Sequence, residues 1–273
     1  MSRPVGLASE RLAFGPATLQ TVVHDHVALR TPTRPDHWPG NALHLFTTPV
    51  DVAAAMARFD RSVGQLPGVG RRVVAWETRG TGDAPGVEVP DDVALLSTEV
   101  GVLEPDTPLP GRPVPDGVTI VRADSPPQWA GAKVLYLQTD WEGDEPYWRW
   151  MVDEQRQLSE RGGGAVLVAY QLGIPVGRAG LFVPPEGVQP RESGLAVVED
   201  VVVHPLYRGR GIASALVSAT ADLARRLAPE VRVVVRSDPG SSTAAWYARL
   251  GFTPASRTWT AVDPPLRGPR TPE

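Results

Sequence analysis

Apolar residues along the chain follow two periods, and where the period changes the elements change. Val201, Val202 and Val203 form a β-branched run ending at Pro205, which has no N–H to give to a ladder. From Ile212 the spacing becomes helical, through Leu216, Ala219, Leu223 and Leu227, one buried stripe. The rest of the second half reads similarly. It predicts a strand over Val118–Arg122, helices over Pro126–Thr139 and Tyr147–Arg161, and a halt at Gly162–Gly164. A hairpin is expected over Ala165–Tyr170 and Val176–Val183, then a strand at Val231–Val235 and a terminal strand pair near Arg257–Val262.

The first half is weaker. Residues 1 to about 20 show no period and read as a loose arm. Thr21–Arg30 reads as one strand, Thr31–Asn41 as turns and His44–Thr48 as a short strand. Val52, Met56 and Phe59 mark a helix after Asp51, and strands follow at Arg71–Thr78 and Val93–Val102. Residues 105–115 hold five prolines and form the best linker, dividing the chain into units 1–112 and 113–273.

Composition narrows the classes. With 42% hydrophobic residues a packed core is within reach, while 27 glycines and 29 prolines imply many turns. A net charge of −4 speaks against a nucleic-acid partner. No cysteine is present, which removes disulfides, thiolate metal sites and a cysteine acyl-enzyme. There is no signal-like N-terminus and no run of about 18 apolar residues, so the expectation is a cytoplasmic protein without a membrane partner. His24 and His26 would share a strand face, but two histidines without a third ligand do not make a metal site, and none is expected.

Between the valine strand and its helix lies Arg208-Gly209-Arg210-Gly211-Ile212-Ala213. Two glycines allow close backbone approach, and a helix N-terminus beside arginines suits a phosphate or pyrophosphate. The segment lacks the Gly-Lys-Ser/Thr of a Walker loop (Lys133 is the only lysine) and the third glycine of a dinucleotide fingerprint. It resembles the acetyl-CoA signature Arg/Gln-x-x-Gly-x-Gly/Ala of the GCN5-related N-acetyltransferases (GNAT), filled by Arg208, Gly211 and Ala213. Val203-His204-Pro205 before it and Tyr247-Ala248-Arg249-Leu250-Gly251-Phe252 after it match that family too, and the resemblance covers roughly Val118 to Val262.

That resemblance implies an α/β (α+β) fold with a mixed central sheet flanked by helices. The first half resembles a degenerate, partial copy of the fold, extending the sheet or walling the acceptor cleft. It implies acetyl-CoA as co-substrate, anchored by Gly209, Arg210, Gly211, Ile212 and Ala213 with Arg208, and by free backbone groups of Val201 and Val203. Tyr247 would protonate the leaving thiolate, or else serve as a core tyrosine. Glu199 shares a strand face with Val201 and Val203 and would be the base, or else pair with an arginine; a bulge could bring Asp200 round instead. The family's Asn-x-x-Ala before the tyrosine is Gly240-Ser241-Ser242-Thr243 here, leaving a serine to replace the asparagine or cap the helix. The acidic, aromatic stretch 140–148, with Trp141, Glu142 and Tyr147, could cage a cationic amine or simply start a helix. The expected activity is acetyl transfer, by direct attack, to a small amine, with a second copy of the chain as an optional partner. A CoA-binding sensor without catalysis and a protein N-terminal or lysine acetyltransferase are the alternatives.

Overall fold

An eleven-stranded mixed sheet runs through both halves of the chain in the computed structural model, which describes residues 5–80, 82, 86–109, 113–138, 144–184 and 194–263. In chain order the elements are α1 (Gly6–Leu12), β1 (Leu19–Val23), β2 (His26–Arg30), β3 (Leu43–Leu45), α2 (Val52–Arg61), β4 (Arg72–Arg79) and β5 (Ala94–Leu103). There follow β6 (Val118–Arg122), α3 (Pro126–Tyr136), α4 (Glu145–Glu160), β7 (Gly164–Gln171), β8 (Ile174–Phe182) and β9 (Leu195–Val203). The chain closes with α5 (Ile212–Leu227), β10 (Arg232–Ser237), α6 (Ser242–Arg249) and β11 (Thr253–Asp263).

The strand order is β1-β2-β3-β4-β11-β5-β10-β9-β8-β7-β6. The two halves therefore interleave: β5, from before the proline-rich stretch, lies antiparallel between β10 and β11, both from after it. The expected terminal strand pair is instead one long strand, β11, matched to β4 from Ser256↔Arg79 to Asp263↔Arg72. Local periodicity identifies a strand but carries no record of which distant strand it joins.

Strand alternation divides the core. Val100 and Val102 of β5 face a cluster with Val5, Ala8 and Leu12 of the N-terminal segment, while Leu103 faces the other side with Val217 and Ala221 of α5. Helices α3 and α4 pack against Val166 and Val168, and α2 buries Val52, Ala55, Met56 and Phe59 against Val74 and Trp76. Asp51 caps α2, accepting from the N–H groups of Ala53 and Ala54.

Two expectations in the first half are corrected. The arm contains a helix, α1, whose first N–H groups donate to the Glu77 carboxylate of β4 (Gly6 at 2.9 Å, Leu7 at 3.0 Å). Seven residues are too few to display a period, and the cap comes from 70 residues away. The single strand expected at Thr21–Arg30 is two, β1 and β2, folded back at His24 and Asp25. Every residue of β1 is exposed, so no buried alternation marks it.

Two histidines sit inside this half. Burial holds His44 of β3, and His37, down to about 4 from the usual 6.5. The unfolded chain takes up these protons near pH 6.5 while the folded chain refuses them until about 4. Their contribution is therefore present above about 6.5 and is lost as pH falls through about 4. Urea unfolding should show stability declining over that window, and His44→Leu should make the decline shallower. An unchanged pH dependence in His44→Leu would contradict this.

Candidate functional site

β9 and β10 run parallel and pair only at Arg232↔Leu195, Val233↔Ala196 and Val234↔Val197. Beyond these three pairs β10 keeps only β5, which it joins from Val233 to Ser237, and β9 continues against β8 alone to Val203. Among the described residues, the β10-facing edge of β9 has no strand partner from Val198 onward. A cavity of about 860 Å³ opens there. Its walls are Val201, Val202 and Val203 of β9, Arg208, Gly209, Gly211, Ile212, Ala213 and Ser214 at the head of α5, and Ser242, Thr243, Trp246, Tyr247 and Arg249 of α6.

The glycines are used as their residue type predicts. Gly209 has φ +75° and Gly211 φ +83°, left-handed values that a side chain would strain. Gly211 is the N-cap of the sixteen-residue α5 and brings no side chain to its first N–H groups. Those donors, with the helix dipole behind them, suit an anion in the cavity. The Arg208 guanidinium donates to the Val203 carbonyl at 3.2 Å, closing the loop onto the strand end. Arg210 turns outward over the Tyr207 ring and donates to the Leu206 carbonyl at 3.2 Å. The Trp246 indole N–H donates to the Ser214 hydroxyl at 3.1 Å, clamping α6 to α5 across the site.

Ser241 caps α6, accepting from Ala244 N–H at 3.1 Å, whereas Ser242 and Thr243 face the cavity. Tyr247 packs on Trp246 and Phe252 and is 7% exposed. Its phenol is held well above the ordinary value, mainly by burial and then by the negative charges of Glu199 and Asp200. At neutral pH it is a donor.

Glu199 is placed two residues beyond the last β9–β10 pair, and Arg236 of β10 stands in the same relation on the other strand. The guanidinium meets the carboxylate at 2.8–2.9 Å, so the arginine pairing envisaged for Glu199 forms, on the α1 side of the sheet and outside the residues that line the cavity. Burial outweighs that partner and pushes Glu199 up to about 7. A carboxylate with that affinity can accept a proton at neutral pH and release it again.

The bulge is present: Val201 and Val203 turn to the α5 side, so Glu199, on the α1 and α4 side, does not share their face, and the same bulge brings round Asp200 to the face of Glu199. Asp200 has φ +55°, and the β8–β9 register slips between Arg178 and Gly180. Its side chain enters a polar knot the sequence did not disclose. Tyr136 donates its hydroxyl to Asp200, and the Gln155 amide donates to Asp200 at 2.6 Å. Fully buried Arg178 donates to Gln155 at 2.7 Å, approaches Asp200 at 3.7 Å and lies 4.0 Å over the Tyr136 ring. The knot fixes an unfavourable backbone geometry from α3, α4 and β8 at once.

Of the residues suggested for the acceptor, Trp141 and Glu142 lie outside the described residues. Tyr147 is engaged elsewhere than the cavity wall. Its hydroxyl meets His37 Nδ1 at 2.9 Å, and Arg34 lies 5.2 Å from its ring centroid. Tyr147 thus joins α4 to the turn region of the first half. His24 lies in the β1–β2 turn, and His26 pairs with Asp25 at 2.8 Å.

A parted parallel pair, a glycine-bent loop and a helix N-terminus thus meet at one cavity. Residues 135–252 match the acetyltransferase (GNAT) family. The chain carries a GNAT domain. A functionally unknown conserved protein from Staphylococcus epidermidis superposes with TM-score 0.64 at 14% identity, covering 90% of this chain and 93% of its own. A GCN5-related N-acetyltransferase from Kribbella flavida gives 0.55 at 15%, covering 96% and 94%. A tandem GNAT protein from the clavulanic acid biosynthesis pathway gives 0.54 at 17%, covering 93% and 86%. At such identities the likeness is one of fold, and it extends over both halves of the chain. No curated protein sequence matches. No helix among the described residues is long and apolar enough to cross a membrane.

Within the GNAT domain the buried knot generates a test. Removing Arg178 leaves Asp200 and Gln155 without their cation, so Arg178→Leu should cost about 3 kcal/mol of folding free energy. Chemical denaturation reads this directly; a loss below about 1 kcal/mol would mean the knot does not hold the bulge.

Proposed function

We propose that the chain transfers an acetyl group from acetyl-CoA directly to the primary amine of a small, cationic acceptor. The observation that carries this reading is the cavity at the parting of β9 and β10, with the Arg208–Ala213 loop at one side and Tyr247 at another. The residues present fit the donor. Backbone N–H groups of Gly209 to Ala213 face the pyrophosphate position, and the unpaired edge of β9 at Val201 and Val203 offers backbone partners to the pantetheine amides and the thioester oxygen. Ser242 or Thr243 supplies the contact that asparagine makes in the family pattern.

Glu199 takes a proton from the incoming ammonium, leaving a neutral amine. The amine nitrogen bonds to the thioester carbon, the C–S bond breaks, and Tyr247 gives its proton to the departing sulfur. Of the two protons the ammonium loses, one ends on sulfur by way of Tyr247 and the other leaves through Glu199. The carboxylate of Glu199 and the acidic, aromatic sequence around Trp141 and Glu142 support a positively charged acceptor. The first half supports the site structurally, through the β5 and β11 pairings and the Tyr147–His37 contact.

Calorimetric titration with acetyl-CoA tests the reading. Micromolar binding is expected, and the double variant Arg208→Glu/Gly211→Asp should abolish it. With an amine found by thiol-release screening, Tyr247→Phe should lower kcat about 10²- to 10⁴-fold while leaving acetyl-CoA binding intact. Absence of binding in the unaltered protein would overturn the proposal.

A further inference from the structure

Arg236 has a second partner. Its other terminal nitrogen reaches the Glu10 carboxylate of α1 at 2.8 Å, so one guanidinium bridges the N-terminal helix and the strand that carries Glu199. About a fifth of each of these three side chains meets solvent, and the triad holds two carboxylates against one cation. Asp200, next along β9, pairs with Arg178 at 3.7 Å and adds a further negative charge near Arg236.

We propose that Glu10 is a positioning residue for the acyl-transfer site: by sharing Arg236 it leaves Glu199 under-neutralised and so makes proton acceptance there depend on the docking of α1. The role given to Glu199 rests on the function proposed above; the coupling between the two carboxylates does not. The helix is held where this requires. Glu77 of β4 caps its first two N–H groups, and Val5, Ala8 and Leu12 are buried against β5, β9 and β10. Among the described residues several charged or titratable groups surround Glu199, with Arg178 and Tyr136 behind Asp200. Arg236 faces Glu199 from β10, Glu10 from α1, Asp200 from its own strand and Tyr247 from α6. His44 of β3, buried and neutral near pH 7, lies toward Glu10 and Arg236. With Glu10 present, its negative charge raises the proton affinity of Glu199, adding to the larger effect of burial. Removing that charge gives Glu199 undivided use of Arg236, and its affinity for a proton must fall.

Carbon-13 NMR of the glutamate side-chain carboxyls, followed against pH in the full chain, measures this without any substrate. The Glu199 signal is identified by its loss in Glu199→Gln. In Glu10→Gln the Glu199 midpoint should move to lower pH, corresponding to about a tenfold loss of proton affinity. Glu10→Asp, which keeps the charge, should retain most of the original value. A midpoint unchanged in folded Glu10→Gln overturns the proposal. Should that variant fail to fold, the unaltered protein still decides: the Glu10 signal must shift in the window where Glu199 titrates, and an independent Glu10 signal overturns it. Because the titration needs no turnover, a protein that shows the coupling but acetylates no amine would count against the function and not against the role of Glu10.

Discussion

Two parallel strands that stop pairing after three residue pairs leave backbone donors and acceptors that something must satisfy. Such groups are costly in an apolar setting unless water or a ligand meets them. In this protein the unpaired edge of β9 is flanked by Ile212 and Tyr247, and it opens onto the head of α5. Everything else at the site depends on keeping β9 and β10 apart. The Asp200 bulge bends one strand, β5 draws the other away through Val235↔Gly101 to Ser237↔Glu99, and Trp246 bonded to Ser214 holds the helices on either side.

The same parting explains the distribution of charge. Glu199 and Arg236 occupy equivalent positions just past the last strand pair, so they bond to each other where the two strands part. Asp200, one residue on, is brought by the bulge to the same face of the sheet, where Arg178, Gln155 and Tyr136 receive it. Two neighbouring carboxylates thus meet separate cations, Arg236 and Arg178. One is committed to holding backbone geometry, and the other retains a proton affinity suited to exchange near neutrality.

What could be read in the sequence was local in origin. The Arg208–Ala213 loop, the stripe of α5, the α6 tyrosine and the bulge beside Glu199 all lie within about 50 residues and obey short-range rules of strand, turn and helix. What could not be read comes from pairing across the chain. β11 joins β4 and β5, the cap of α1 comes from Glu77, and Glu10 reaches Arg236. Tyr147 illustrates the limit. Its place in an acidic, aromatic stretch suggested a ligand contact, but the histidine that engages it, His37, lies 110 residues earlier. Trp246 could have been singled out from sequence, since it adjoins Tyr247, but only the packing of α6 on α5 turns it toward the cavity.

The most direct measurement is a crystal structure of the full chain grown with acetyl-CoA. The account requires the pyrophosphate against the N–H groups of Gly209 to Ala213, the pantetheine arm along the free edge of β9, and the sulfur within reach of the Tyr247 hydroxyl. A ligand bound elsewhere, or a β9–β10 cleft closed and bypassed by the pantetheine arm, would contradict it.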